Sequence, residues 1–259
     1  MREAPVLELD RVSRSYRGIP AIREVSFRVG AGEVVGYLGA NGSGKSTTVK
    51  IITGLLQPDD GRVLYCGWNI REDMTGFRAA LGYVPEEAHV YTYLSGMEYL
   101  ELAGRLRSMS EAQIAFRAER LLSLLGLTDW RHSPIGLYSK GMKQRVLIAA
   151  ALLHDPSLLI FDEPLSGLDA TTARLFRNLL RELGGQGKAV LYISHVLEVV
   201  EQVCDRVVVI TKGRVVADAS PAEVRALTGD VEFEDAFARL VEGEDTVEVA
   251  RQVVAAVRG

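Results

Sequence analysis

The stretch YLGANGSGKSTTVKIITG, residues 37–54, gathers Gly39, Gly42 and Gly44 into one short loop and follows them with Lys45, Ser46 and Thr47. Glycine by itself marks no more than a tight turn. The flanks say more. Before the loop, EVVGYLG is a short apolar run with β-branched Val34 and Val35, as a buried strand requires; after it, Val49, Ile52 and the terminating Gly54 fall at helical spacing. Strand, glycine loop and helix N-terminus together form an anion trap, because backbone N–H groups and the positive helix end point into a loop that residues without a Cβ leave open to phosphate oxygens. Gly39, four residues, then Gly44, Lys45 and Ser46 match the phosphate-loop pattern. In that pattern the lysine reaches the β- and γ-phosphates and the hydroxyl ligates Mg²⁺. The whole loop, Gly39, Ala40, Asn41, Gly42, Ser43, Gly44, Lys45, Ser46 and Thr47, is therefore the expected nucleotide cradle.

The rest of the chain has to agree with a nucleotide-binding protein. Its 259 residues are 47% apolar with a formal charge of -4, which suits one large or two small α/β domains and offers no polyanion-binding surface. Nucleic acid is not an expected partner. The N-terminal MREAPVLELDRV has no apolar core of signal-peptide length, and the longest apolar run, Val146 to Leu153, is too short to span a bilayer. A soluble chain is expected. Cys66 and Cys204 lie in apolar settings without neighbouring ligands and read as reduced core thiols, with no zinc site.

PVLELDRVSRSY, AIREVSFRV and GRVLYCGWNI alternate as half-exposed antiparallel strands do, on either side of the phosphate loop. From about Gly96 to Leu127 the period becomes helical, which marks a helical subdomain inserted over about 90–155. SLLIFDEP, AVLYISH and RVVVIT then alternate with helix-like segments, as in a parallel sheet with crossover helices. The expected organisation is a nucleotide-binding domain over 1–227 and a C-terminal tail over 228–259 of two short amphipathic helices, with Val247, Ala250, Val253, Val254 and Val257 along one face. Such a stripe is more commonly packing than a binding site.

LLIFDEP ends an apolar strand in two acids, which places Asp162 and Glu163 at the carboxyl edge of the sheet, where ligands bind in open α/β folds. Asp162 fits an acid that holds Mg²⁺ through water opposite Ser46, and Glu163 fits the group that polarises the attacking water. An acid pair at a strand exit that merely faces a helix N-terminus is the plainer alternative.

LYSKGMKQRVLIAAALLHDP resembles the signature motif of ATP-binding-cassette (ABC) proteins, and it is followed in the family's order by LLIFDEP, the SGLD loop and the ISH switch. With the phosphate loop these cover nearly the whole chain. The resemblance implies an ABC-type P-loop ATPase fold: a parallel-sheet core, an antiparallel β subdomain and an inserted helical subdomain. It also implies a head-to-tail dimer, with ATP and Mg²⁺ held between the phosphate loop of one subunit and Ser139 and Gly141 of the other. Tyr16 matches the aromatic that stacks on adenine, its alternative being an ordinary strand tyrosine. Asp169 matches the loop that crosses between subunits and is equally a helix N-cap for the segment after it. His195 ends its strand where the family carries a γ-phosphate sensor, although a lone histidine is commonly structural.

Two motifs depart from the family pattern. Glu86 stands where the family's Mg²⁺-ligating, partner-sensing glutamine is usual; a carboxylate there can still reach the ion as a metal ligand but adds negative charge beside the phosphates. Lys140 and Met142 replace a glycine and a glutamine of the signature, while Ser139 and Gly141 persist. Three function classes remain. One is the ATPase subunit of an ABC transporter, sitting in the cytoplasm on the inner face of the membrane and driving a separate membrane subunit that it meets between about Glu86 and Leu106. Another is a soluble ABC ATPase, of which the iron-sulfur-assembly type stays open. The third is an unrelated GTPase or kinase, for which the TKGR at 211–214 lacks the guanine-reading aspartate. Within transporters, YSKGMKQR and the GYVPEE loop look like the ABC-2 exporter class.

Overall fold

In a computed structural model describing residues 4–165, 169–229 and 232–241, the chain builds two sheets and a helical lobe around the phosphate loop. The alternating segments form an antiparallel sheet of β1 (Leu7–Tyr16), β2 (Ile19–Val29), β4 (Asp60–Tyr65) and β5 (Trp68–Asn69), ordered β2-β1-β4-β5. Leu7 and Leu9 of β1 face inward at the two-residue period, and a bulge at Arg11, φ 50°, shifts the register so that Val12 faces inward as well.

The fully apolar runs form the second sheet: β3 (Val34–Leu38), β6 (Leu81–Val84), β7 (Leu158–Asp162), β8 (Ala189–Ile193), β9 (Arg206–Thr211) and β10 (Arg214–Ala219), ordered β10-β9-β3-β8-β7-β6. All neighbours are parallel except β10, which pairs antiparallel with β9. β3, β7 and β8 are buried throughout because both faces are covered. One face meets the antiparallel sheet and α1 (Lys45–Ile52); the other meets α6 (Ala170–Gly185), α7 (Leu197–Val203) and α9 (Phe233–Val241). The strand order puts the carboxyl ends of β3, β8, β7 and β6 side by side. That adjacency brings four motifs, far apart in sequence, to one edge.

The inserted lobe comprises α3 (Gly96–Arg105), α4 (Glu111–Leu124) and α5 (Lys140–Leu152), with a core of its own around Leu100, Ala118, Leu122 and Val146. Ser95 and Glu98 close a capping box on α3, and Ser110 and Gln113 do so on α4. His154, just beyond α5, ties the lobe to the sheet: its Nε2 lies 3.3 Å from Arg107 Nε and 3.1 Å from the Leu81 carbonyl oxygen. Burial pushes this imidazole down to about 4.

The remaining helices are α2 (Met74–Ala80) and α8 (Pro221–Thr228). Of the expected tail, α9 is the first helix; Val247, Ala250, Val253, Val254 and Val257 lie outside the described residues, as do Ser166, Gly167 and Leu168 of the SGLD loop. One expectation is corrected. Cys66 is exposed, because it sits in the turn between β4 and β5 with φ at 48°, whereas Cys204 is buried after α7. The apolar neighbours of Cys66 in sequence belong to strands that turn away from it. Among the described residues no helix is long and apolar enough to cross a membrane.

Candidate active site

The phosphate loop leaves β3 and enters α1 with its backbone forced open. A Cβ on Gly39 would collide with the Ile210 carbonyl oxygen on β9, and one on Gly44 would lie 2.6 Å from Ile22 Cγ2, so both glycines are dictated by close approach. Gly44, at φ 113°, is the N-cap of α1 and supplies no side-chain acceptor. The first N–H groups of α1 are thus left for a ligand. Ser43 is buried with its Oγ unpartnered beneath the loop, so its side chain faces the loop's underside and not the cavity.

The loop borders a cavity of about 470 Å³, whose far wall carries Glu86, Asp162, Glu163 and His195. Each acid comes from a neighbouring strand end: Glu86 after β6, Asp162 and Glu163 at the end of β7. Glu163 takes a left-handed φ of 48°, a conformation that costs a non-glycine residue on the order of 1–3 kcal/mol, and its N–H donates to the Ile193 carbonyl of β8 at 2.9 Å. This bend aims the carboxylate across β8, where His195 Nδ1 donates to Glu163 Oε2 at 2.8 Å. The imidazole is 75% exposed while the carboxylate is 12% exposed, so the histidine faces outward and the acid is held beneath it.

Lys45 is the one lysine or arginine among the described lining residues. Its Nζ donates to the carbonyl oxygens of Gly39 at 2.5 Å and Ala40 at 3.1 Å. Burial lowers its proton affinity, and Glu163, Asp162 and Glu86 pull in the other direction. Asp162 is pushed up to about 6, first by burial and then by the negative charges of Glu86 and Glu163, against the opposing pull of Lys45. The site is acid-rich around a single cation, an arrangement that a divalent metal and a phosphate chain complete. Ser46, Asp162 and Glu86 all offer hard oxygen, the donor set that suits Mg²⁺ and not a soft metal.

A pH dependence follows. Because the folded-state affinity of Asp162 for its proton is raised above the usual 3.8, the protonated acid contributes stability that is present below about pH 4 and lost as pH rises through about 6. Glu86→Gln removes one of the like charges responsible. The substituted chain, free of nucleotide and metal, is expected to unfold at a midpoint higher by roughly 1–3 °C at pH 7, with a flatter midpoint profile between pH 4 and 7 in thermal scans. Superimposable profiles would show that Glu86 does not act on Asp162.

Several expected residues lie outside this cavity's wall. Tyr16 ends β1 and is 45% exposed, with the Arg14 guanidinium 5.6 Å from its ring centroid. Asp169 caps α6, accepting from Thr172 N–H at 2.9 Å and Thr172 Oγ1 at 2.8 Å. Ser139 caps α5, accepting from Met142 N–H at 3.2 Å. Neither Ser139 nor Gly141 lines the cavity of its own chain. Conversely, Ala21, Ser194, Phe237 and Val241 do line it and escaped the sequence reading. Ser194 lay in plain view beside His195; Phe237 and Val241 fell unnamed within the amphipathic tail.

A family described as "ABC transporter" matches residues 22–166. NatA, an ABC transporter ATP-binding protein of Bacillus subtilis, is 37% identical over 199 residues, covering 76% of this chain and 81% of NatA. The linearmycin resistance ATP-binding protein LnrL of the same organism is 33% identical over 224 residues, 86% of this chain and 72% of LnrL. A solved ATP-binding subunit of an ABC transporter superposes with a TM-score of 0.86 at 33% identity, covering 91% of this chain and 99% of that one. The dimeric post-hydrolysis state of the ATP-binding cassette MJ0796, bound to ADP and Pi, superposes at 0.75 with 27% identity, covering 83% of this chain and 98% of that one. The chain belongs to the ATP-binding subunits of ABC transporters and is an ATPase of that family. The soluble alternative is not favoured, and the GTPase or kinase class is set aside.

Proposed function

We propose that the chain hydrolyses MgATP in a head-to-tail pair with a second cassette and thereby drives the membrane subunit of an ABC-2 type exporter, from the inner face of the cell membrane. One observation carries the paired mechanism: Ser139 and Gly141, the residues that would close over a γ-phosphate, stand outside the nucleotide cavity of their own chain. A complete site needs another chain's signature. Lys45 releases the Gly39 and Ala40 carbonyls and turns to the β- and γ-phosphates, while the free N–H groups of α1 hold the phosphate oxygens. Ser46, Asp162 and Glu86 would hold Mg²⁺, which when bound offsets charge on the phosphates. Glu163 accepts the proton of the attacking water as its oxygen bonds to the γ-phosphorus and the bond to ADP breaks. His195, already on Glu163, is placed to turn outward to the γ-phosphate and free the carboxylate for water. Tyr16, exposed at the end of β1, offers its ring to adenine.

The test is Glu163→Gln. The amide keeps the shape and the hydrogen bond but cannot take a proton, so hydrolysis should fall by about a hundredfold or more while ATP stays bound and a dimer accumulates in gel filtration with MgATP. Continued hydrolysis by a strictly monomeric protein would remove Glu163 from the role of base.

The partner surface expected between Glu86 and Leu106 adjoins a cleft of about 600 Å³ between the sheet and the helical lobe, lined by Leu55, Arg78, Tyr83, Leu106 and Arg107 among others. Leu55 and Leu106, 66% and 75% exposed, supply apolar contact, and the arginines supply charge. A membrane subunit's cytoplasmic helix fits there. Glu98 is unsuitable as a probe because its carboxylate accepts the Ser95 N–H in the capping box of α3, so reversing its charge would fray the helix. Leu55→Arg with Leu106→Arg is the cleaner change. It should reduce capture of the cognate membrane subunit by about tenfold and leave the isolated chain's own hydrolysis intact. Undiminished capture would move the contact elsewhere.

A further inference from the structure

The helix α9, FEDAFARLV, carries apolar residues at Phe233, Ala236, Phe237, Leu240 and Val241, all of which pack on the core beneath it, the first two fully buried and the others partly. Phe233 and Ala236 are buried and seat the helix on the core shared with α7 and β9. Phe237 and Val241, one turn further along, are only half-buried, and both line the nucleotide cavity together with Asn41, Glu163 and His195. Phosphate binding does not call for them: a triphosphate is held by N–H groups, a lysine and a metal, and an apolar wall offers it nothing. What they offer is a dry edge to whatever closes the cavity.

The cavity has to be closed by another chain, because the signature residues of this one lie outside it. We propose that the edge of α9 formed by Phe237 and Val241 is part of the surface on which a second copy of this chain closes when ATP is bound, so that the helix seals the wall beside Glu163 and His195. The proposal rests on the head-to-tail pairing given above and extends it to a helix that none of the expected site motifs includes. Two further features favour a second copy over a different occupant. The edge is continuous with the nucleotide face that the pairing already covers, and in a two-fold pair each α9 serves one site, so the same patch is used twice. The contact also links the pair to the switch: α7, on which α9 packs, begins at Leu197, two residues after His195.

The experiment uses the full 259-residue chain carrying Glu163→Gln as parent, with MgATP, and reads two constants. Dimerisation is followed by sedimentation velocity over a concentration series; binding of a fluorescent ATP analogue is measured on dilute monomer. Phe237→Ser and Val241→Ser, each in the parent, should weaken dimerisation about tenfold or more while monomer affinity for the analogue stays within about twofold, and Phe237→Leu should retain most of the dimer. Retained nucleotide affinity also shows that the variants are folded. Serine variants that dimerise as tightly as the parent overturn the assignment of α9 alone. Variants that lose nucleotide affinity in parallel place Phe237 and Val241 in the monomer's own ATP site, which overturns it equally. A parent that stays monomeric with MgATP overturns the paired reading itself, and this proposal with it.

Discussion

Lys45→Ala should abolish tight ATP binding and reduce hydrolysis by about a hundredfold or more, the loss expected when a preorganised charge on a transferring phosphoryl group is removed. The physical reason lies in the balance of charge around the cavity. Glu86, Asp162 and Glu163 face a polyanionic substrate, and Lys45 is the one lysine or arginine among the described lining residues. Without it, Asp162 loses the one influence that holds its proton affinity down, and the acids repel the phosphates with nothing to offset them. No fold contact of consequence is lost. The Nζ is bonded to the loop's own carbonyls of Gly39 and Ala40, which in the substituted chain turn to water. The unfolding midpoint of the nucleotide-free chain should therefore move little, and equilibrium binding of a fluorescent ATP analogue, read beside that midpoint, separates the two effects. Wild-type turnover by the Lys45→Ala chain would mean that the loop 39–47 is not the phosphate cradle.

Much of this architecture was legible in the sequence because it rests on local rules. The two-residue alternation of LELD and SFRV and the unbroken apolar runs of LLIFD and VVVI differ for one reason, whether one face or both faces are covered, and the two sheets follow that difference. The position of the two acids proposed for catalysis was legible as well, since a strand apolar enough to be buried on both faces can carry two adjacent acids only where it leaves the sheet, at its carboxyl edge. What was not legible depends on tertiary neighbours. Cys66 looked buried because its neighbours are apolar, but a turn reverses the chain there. Ser43 reads as one more cradle residue, yet it is turned beneath the loop against Gly39. Phe237 and Val241 could not be placed by periodicity, because a stripe tells which side of a helix is apolar and not what stands opposite. β10, an antiparallel edge strand, carries the half-exposed alternation of RVVADA without any motif to announce its partner.

Mixing two dead proteins should restore activity, and this is the largest effect that the paired site predicts. Lys45→Ala destroys the phosphate loop of its own chain; Ser139→Arg removes the N-cap hydroxyl of α5 and puts a bulky side chain where the second chain's γ-phosphate must approach. Each homodimer then carries its lesion in both sites, so neither should turn over. In the mixed pair, one site collects both lesions. The other joins the intact phosphate loop of the Ser139→Arg chain, with its Asp162, Glu163 and His195, to the intact Ser139 and Gly141 of the Lys45→Ala chain. That site is whole. Single-turnover hydrolysis of labelled ATP is the measurement to make, because steady-state cycling can require both sites to fire and would hide one competent site. With the chains in equal amounts and random pairing, half of the pairs are mixed and each has one whole site. Recovery should therefore approach about a quarter of the wild-type amplitude. If Ser139 instead served the ATP of its own chain, no molecule in the mixture would own a complete site, and no amplitude could return. Mixed pairs shown to form by differential tagging, yet silent in single turnover, would break the inference from the separation of Ser139 and Lys45 in one chain to their meeting across two.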